Sequence, residues 1–432
     1  MAKIIIRNVG PIKEAEFDLN KVNVFMGPQS SGKSTIAKII SYCTWVEKDV
    51  ATNQSLEDYQ KNENYFKERL ENFHKIKGYF KPNSFIEYCS DIVTLKYDSG
   101  KFNIAWVDRY AYKRSKISYI PSERNLVILS EMEKVELSKN NIRSFLFDWF
   151  TAKKIYSQTK KLSILNLNVD YYFDEDKAKE DHIHGKDSNG DYDILLSNAS
   201  SGLQSLVPLL AMTEFITDWI YNTEEEISFE QNEKRAKVIQ LLIKEILLKP
   251  YFNQSYVDDS EIKEKIEQVI QKIKTADIEA INLASKYNAI NTNLFTTNSS
   301  QLIIEEPEQN LFPEAQKDLI YHLLEKCLNR EGNKLTLTTH SPFVLYALNN
   351  CMLGHLVKEE MMKDEDYTNL KSLKSSIDPS DVSVWQITNT GKINRIQGDD
   401  YLIENNYFDA CMKDVMDDFY KMINYYGDED ED

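Results

Sequence analysis

The alternation of apolar and polar positions begins at once: IIIRNV, a Gly10-Pro11 turn, EAEFDL and KVNVFM predict two short strands and a buried third within the first 26 residues. The third strand runs into a glycine-bracketed stretch. After Thr35, Ile36, Ile39, Ile40 and Cys43 recur at helical spacing, so a helix is expected to open at that loop. Residues 46–104 read as helical segments rich in Tyr, Phe and Lys, followed by DIVTLKYDSGKFNIAWV, whose alternation around Asp98-Ser99-Gly100 predicts a hairpin. A strand and turn, ISYIPSERN, are expected at 117–125. Residues 130–165 read as mainly helical, and YYFDEDKAKEDHIHGKDSNGDYDILL as a polar hairpin with a long loop.

From 222 to 298 charges fall at helical spacing in NEKRAKVIQLLIKEILL and DSEIKEKIEQVIQKIKTADIEAINLASKY, with a break at KPYFNQSYVDD between them. This segment reads as a helical arm or lid inserted into the core, or as a dimerisation surface. A hairpin is expected at 381–396, then one amphipathic helix and a tail, GDEDED, that reads as disordered. The division that follows is a first core part over 1–221 with an insert at about 46–116, the arm at 222–298, a second core part over 299–396, and the helix and tail at 397–432.

Composition narrows the function classes. Among 432 residues, 42% are apolar and 28% charged, and no run of ~18 apolar residues is present to span a bilayer. The opening residues break into charge and turn too early for a secretory signal, so a cytoplasmic location without membrane partners is expected. Five cysteines at unrelated spacings suggest neither a disulfide framework nor a zinc site. A net charge of −17 opposes strong non-specific binding to nucleic acid. The densest basic stretches, 108–116 and 151–161, read as solvated helix faces, and His182 with His184 as part of a solvated loop without a third metal ligand.

The chemistry is concentrated in a few places. Gly27-Pro28-Gln29-Ser30-Ser31-Gly32-Lys33-Ser34, followed by Thr35, fits G-x-x-x-x-G-K-[ST] between a strand and a helix. Glycines let backbone amides curl around phosphates at a helix N-terminus, Lys33 reaches the outer phosphates, and the Ser34 hydroxyl suits a magnesium ion. QLIIEEPEQNLF places Glu305 and Glu306 at the carboxyl end of an apolar strand, where open parallel sheets bind ligands. Glu305 is suited to the Mg2+ shell and Glu306 to orienting or deprotonating the attacking water. KLTLTTHSPFVL ends a further strand at His340, from which an imidazole can reach a terminal phosphate. Ser200, Ser201 and Gly202 precede a helix expected to begin near Leu203; they form either a second anion site or a plain N-cap.

In this order, the phosphate loop, YIPSERN, SNASSGLQSLVPL, EEPEQNLFP and TTHSPF resemble the ABC-type ATPases of the SMC, RecF and OLD group. They look most like the stand-alone AAA-type, ABC-like ATPase subunits of bacterial anti-phage systems such as PARIS and Septu. The resemblance implies an α/β fold: a P-loop NTPase with an ABC/SMC-like head, its mixed sheet flanked by helices, an antiparallel β-subdomain and helical insertions. It implies ATP and Mg2+ as cofactors, and a homodimer or higher homo-oligomer closed around ATP. Ser200 and Gly202 match the serine and second glycine of the signature LSGGQ, Glu306 the catalytic glutamate, His340 the switch histidine, and Gln309 to Phe312 the D-loop. It further implies control of a separate effector, a nuclease or toxin, with a nucleic acid or phage protein as trigger; the alternative is a DNA-clamping ATPase of genome maintenance. Three departures stand out. Ser122, with Glu123 and Arg124 after it, occupies the Q-loop position, Asn310 and Phe312 replace histidines typical of OLD-type enzymes, and no nuclease pattern follows the last strand.

Overall fold

The computed structural model describes residues 2–129, 138–175, 179–186, 190–222, 229–361, 363, 370–423 and 425–426. Along the chain, β1 (Ala2–Val9), β2 (Ile12–Leu19) and β3 (Val22–Met26) lead into α1 (Lys33–Asn53), α2 (Glu57–Lys61) and α3 (Tyr65–Phe73). Then come β4 (Phe80–Cys89), β5 (Val93–Asp98), β6 (Lys101–Trp106), β7 (Ser115–Ile120) and α4 (Asn141–Ala152). β8 (Leu162–Ser163), β9 (Val169–Asp174), β10 (Glu180–Gly185) and β11 (Tyr192–Leu195) precede α5 (Ser201–Thr217). The arm segment holds α6 (Phe229–Leu242), a π-helical turn over Ile243–Leu248, α7 (Lys249–Tyr251), α8 (Ile262–Lys274) and α9 (Ile278–Phe295). The chain continues through β12 (Ser299–Glu305), α10 (Pro313–Cys327), β13 (Lys334–Thr339), α11 (Pro342–Met361) and α12 (Lys371–Lys374). It closes with β14 (Val382–Ile387), β15 (Ile393–Arg395) and α13 (Tyr407–Ile423).

The central sheet has the order β15-β14-β3-β13-β12-β7, parallel except for the β14–β15 hairpin. β3 is buried along its whole length, as expected of an inner strand covered on both faces. Its side chains alternate between two cores. Val22, Val24 and Met26 point with Leu302, Ile304, Leu335 and Leu337 toward α5, α10 and α11, whereas Phe25 and Ile303 point toward α1 and the five-stranded antiparallel sheet β2-β1-β4-β5-β6. This is the α/β architecture expected: a mixed sheet between helices, antiparallel β-structure beside it and helical insertions.

The arm is not a free rod. Val238, Leu242, Ile290 and Leu294 belong to the same core as α1, while Leu248, Val257, Val269 and Ala280 form a small separate core farther along it. Its base therefore rests on the helix that the glycine loop feeds.

Several local expectations are corrected. Residues 80–89, read as part of a helical region, form β4, because Ser84, Ile86 and Tyr88 alternate inward while β1 supplies a partner strand. YYFDEDKAKEDHIHGKDSNGDYDILL is not one hairpin: β9, β10 and β11 pair in succession, joined by β8 in a four-stranded sheet. His182 and His184 accordingly sit on a strand, where Asp193 pairs with both and Tyr172 stacks on His182. Among the described residues no cluster of three or more His, Cys, Asp or Glu is placed to hold a metal. The basic stretches are not helix faces: 108–114 is irregular chain entering β7, and beyond Ala152 the second stretch ends in a 3-10 turn and a bridged turn. Part of the 130–165 expectation, residues 130–137, and the tail GDEDED lie outside the described residues. Among the described residues no helix is long and apolar enough to cross a membrane.

Candidate functional site

The site begins where β3 ends. Gly27 (φ +149°) and Gly32 (φ +111°) adopt backbone angles that side chains resist, and a Cβ would lie 2.5 Å from the Ile387 carbonyl at Gly27 and 2.4 Å from Ile12 Cδ1 at Gly32. Between them Ser30 also has a positive φ, Ser31 is buried with its hydroxyl unpartnered, and Pro28 and Gln29 complete the curl. Gly32 caps α1 with no side-chain acceptor, so the amides that open the helix at Lys33, Ser34 and Thr35 stay uncapped. Lys33 Nζ donates to the carbonyls of Gly27 (2.9 Å) and Pro28 (2.7 Å), lying back along its own loop. Burial pulls this ammonium down to about 8, with Glu306 and Glu308 opposing.

Across the sheet, β13 lies between β3 and β12, so Thr338 and Thr339 are set between the loop and the two glutamates. Glu305 ends β12, is buried, and leaves Oε1 without a hydrogen-bond partner. Glu306 turns out of the strand with φ +45°, its amide donating to the Thr338 carbonyl at 2.9 Å. That strained turn exposes its carboxylate to His340, whose Nε2 is 3.1 Å from Oε1. The His340 hydrogen bond holds the Glu306 carboxyl below its ordinary value against the opposing effect of burial, with the charges of His340, Lys33 and Arg124 assisting. Loop lysine, glutamates and histidine thus converge at the carboxyl ends of neighbouring parallel strands.

Two residues of the site were not singled out from sequence. Glu308 is buried, with Oε1 accepting from Thr339 Oγ1 (2.9 Å) and the His340 amide (2.6 Å); burial raises its carboxyl. It fixes the backbone from which His340 projects. Arg124, wholly buried, donates to the carbonyls of Glu305 (2.8 Å), Glu306 (2.8 Å), Pro307 (3.3 Å) and Ser205 (3.1 Å). Thus the segment after Tyr-Ile-Pro clamps the glutamate loop to α5 through Arg124, while the Ser122 amide approaches Glu305 Oε2 at 3.5 Å.

α5 begins at Ser201, earlier than the start near Leu203 read from sequence. Ser200 is its N-cap, accepting from the Leu203 amide at 3.4 Å, and Gln204 Nε2 braces the preceding turn through the carbonyls of Ser197 and Ala199. The N-cap role is therefore present, but it leaves Ser200 and Ser201 exposed. A Cβ on Gly202 would come within 2.9 Å of the Asn310 carbonyl, so this turn and the Gln309–Phe312 loop touch. Phe312 stands 77% exposed beside them.

Residues 3–282 match the model of the AAA domain family. The chain belongs to that family. None of the curated proteins matches it. Among solved structures, the AAA chain is similar to an SMC head domain from Thermotoga maritima (10% identity, 92% of this chain and 98% of that one, TM-score 0.36). It is also similar to the recombination mediator RecF (9% identity, 91% and 97%, TM-score 0.28) and to the dimeric ABC transporter cassette MJ0796 (11% identity, 91% and 99%, TM-score 0.25). Likenesses this loose say nothing about chemistry. The chemistry of this AAA domain rests on its own residues.

Proposed function

We propose that this AAA domain is an ABC/SMC-like ATPase that binds and hydrolyses ATP with Mg2+ and dimerises around the nucleotide. Gly27 to Thr35 cradle the phosphates, and Lys33 leaves the Gly27 and Pro28 carbonyls for the outer phosphate oxygens. Glu305 and Ser34 fit Mg2+: the carboxylate has a buried oxygen with no protein partner, and both are hard donors suited to an ion that keeps waters and phosphate oxygens as its other ligands. Bound there, Mg2+ would neutralise phosphate charge. Glu306, charged at neutral pH and aimed by His340, orients or deprotonates the attacking water.

The observation that carries the dimer is the contact between the exposed Ser200–Gly202 turn and the loop bearing exposed Phe312. One patch offers a helix N-terminus with exposed serines for an anion and an apolar side chain for a protein surface, which suits the face of a second copy whose nucleotide it would seal. We assign the output of the cycle to control of a separate effector in bacterial anti-phage defence. Supporting a protein partner, α13 holds Met412, Val415, Met416, Phe419 and Ile423 exposed along one face, with Asp414 and Asp417 on the other. An effector groove with an apolar floor and basic rim complements it. The test is ATP turnover by the purified chain. Lys33→Ala is expected to abolish nucleotide binding and Glu306→Gln to retain binding without turnover; normal turnover in either variant would refute the assignment.

A further inference from the structure

β7 is the edge strand of the central sheet and pairs with β12 in a parallel register that sets Tyr119 opposite Ile303. Side chains two residues apart share a face of a strand, so Tyr119, Ile303 and Glu305 all point toward α1. Tyr119 is therefore one diagonal step from the carboxylate that ends β12. Such a step is about 7–8 Å, within reach of an aromatic side chain.

The two polar groups that meet there are both unspent. Tyr119 Oη and Glu305 Oε1 are buried, and among the described residues neither completes a hydrogen bond. Burial and then the Glu305 carboxylate push the Tyr119 hydroxyl well above its ordinary value, so the two groups are near enough to act on each other and the proton stays on the phenol oxygen. The other carboxylate oxygen, Oε2, is approached by the Ser122 amide at 3.5 Å, a long contact. The tyrosine ring is itself fixed. His74, wholly buried, meets it edge to face at 5.0 Å, and burial drives that imidazole down to about 3, so it stays neutral and brings no competing charge.

We propose that Tyr119 is a positioning residue for Mg2+: its hydroxyl donates to Glu305 Oε1 and turns the carboxylate so that a free lone pair faces the ion. A carboxylate oxygen can accept at two lone pairs, so a phenol on one leaves the other for a metal. Donors that hold a metal-binding carboxylate in this way orient it, and losing one typically costs about 10–100-fold in metal affinity. This role rests on the ATP and Mg2+ reading of the site and names the side chain that aims its metal ligand.

The test is Tyr119→Phe, which keeps the ring and its contact with His74, placed in the full-length Glu306→Gln variant so that bound ATP persists. ATP affinity is measured calorimetrically with excess Mg2+ and with EDTA, and the affinity of the ATP complex for Mn2+ by electron paramagnetic resonance. Loss of the hydroxyl is expected to weaken Mn2+ binding and ATP binding in Mg2+ by about tenfold, while ATP affinity in EDTA changes less than about twofold. Equal losses with and without metal would mark a merely structural effect, and no loss in either would leave Glu305 aimed without the phenol; each overturns the role of Tyr119. Glu306→Gln itself failing to bind ATP, or binding it no better with Mg2+, would instead refute the ATP and Mg2+ reading, and this role with it.

Discussion

Truncating Arg124 is the sharpest test of how the site is held. Its guanidinium spans five carbonyls, but Pro121, held at 3.4 Å, also caps the 3-10 turn over Ser122–Ile128, Ser205 also stands in the α5 ladder and Glu306 also accepts from the Gln309 amide at 3.1 Å. Arg124→Met therefore falls mainly on the Glu305 and Pro307 carbonyls. An orphaned buried acceptor costs about 1–3 kcal/mol, so two cost about 2–6. Part of this is offset because the cation is itself unfavourably buried: desolvation pulls Arg124 down to about 10, with Glu308, Glu306 and Glu305 opposing. The net expectation is a loss of about 3 kcal/mol in urea unfolding, a large share of a typical total of about 5–15. Arg124→Lys keeps the charge but not the planar fork, so it should recover only part of the loss. Because the same carbonyls set Glu305 and Glu306, turnover should also fall by about 10- to 100-fold in protein that is still folded. A loss under about 1 kcal/mol together with unchanged turnover would refute the clamp.

Other substitutions separate the parts. Lys33 has a folded value of about 8 against an ordinary 10.5, so between those values the unfolded chain holds more protons and stability should rise with pH; denaturation at pH 7.5 and 10 should show the rise in wild type and its loss in Lys33→Met. If bound phosphates restore the charge, ATP binding at pH 8 should take up about half a proton, read from calorimetry in buffers of different ionisation enthalpy. Gly202→Val drives a side chain into the Asn310 carbonyl and should weaken ATP-dependent assembly while changing ATP affinity of the single chain less than about threefold; equal loss of both would contradict the division of roles. Gly32→Ala forces a Cβ into Ile12 at a positive φ and should weaken nucleotide binding measured by equilibrium dialysis.

What was legible in the sequence follows from locality. The loop from Gly27 to Ser34, the strand ending at Glu305 and the strand before His340 each carry their signal within a dozen residues, and the structure brings them to one edge of the sheet. β4 was hidden because its first half is exposed and polar, and its pairing with β1 spans about 80 residues of sequence. Arg124 and Glu308 were illegible for the same reason. A lone charged residue does not reveal that it will be buried, and their partners become neighbours only after β7, β12 and β13 align. The Ser200 turn was visible as letters, but its contact with Asn310 was not.

The most direct measurement is the mass of Glu306→Gln in solution, by light scattering, with and without ATP and Mg2+. The account predicts a nucleotide-dependent doubling that Lys33→Ala and Gly202→Val each suppress. A species whose mass is the same with and without ATP, in a variant shown to bind the nucleotide, would contradict it.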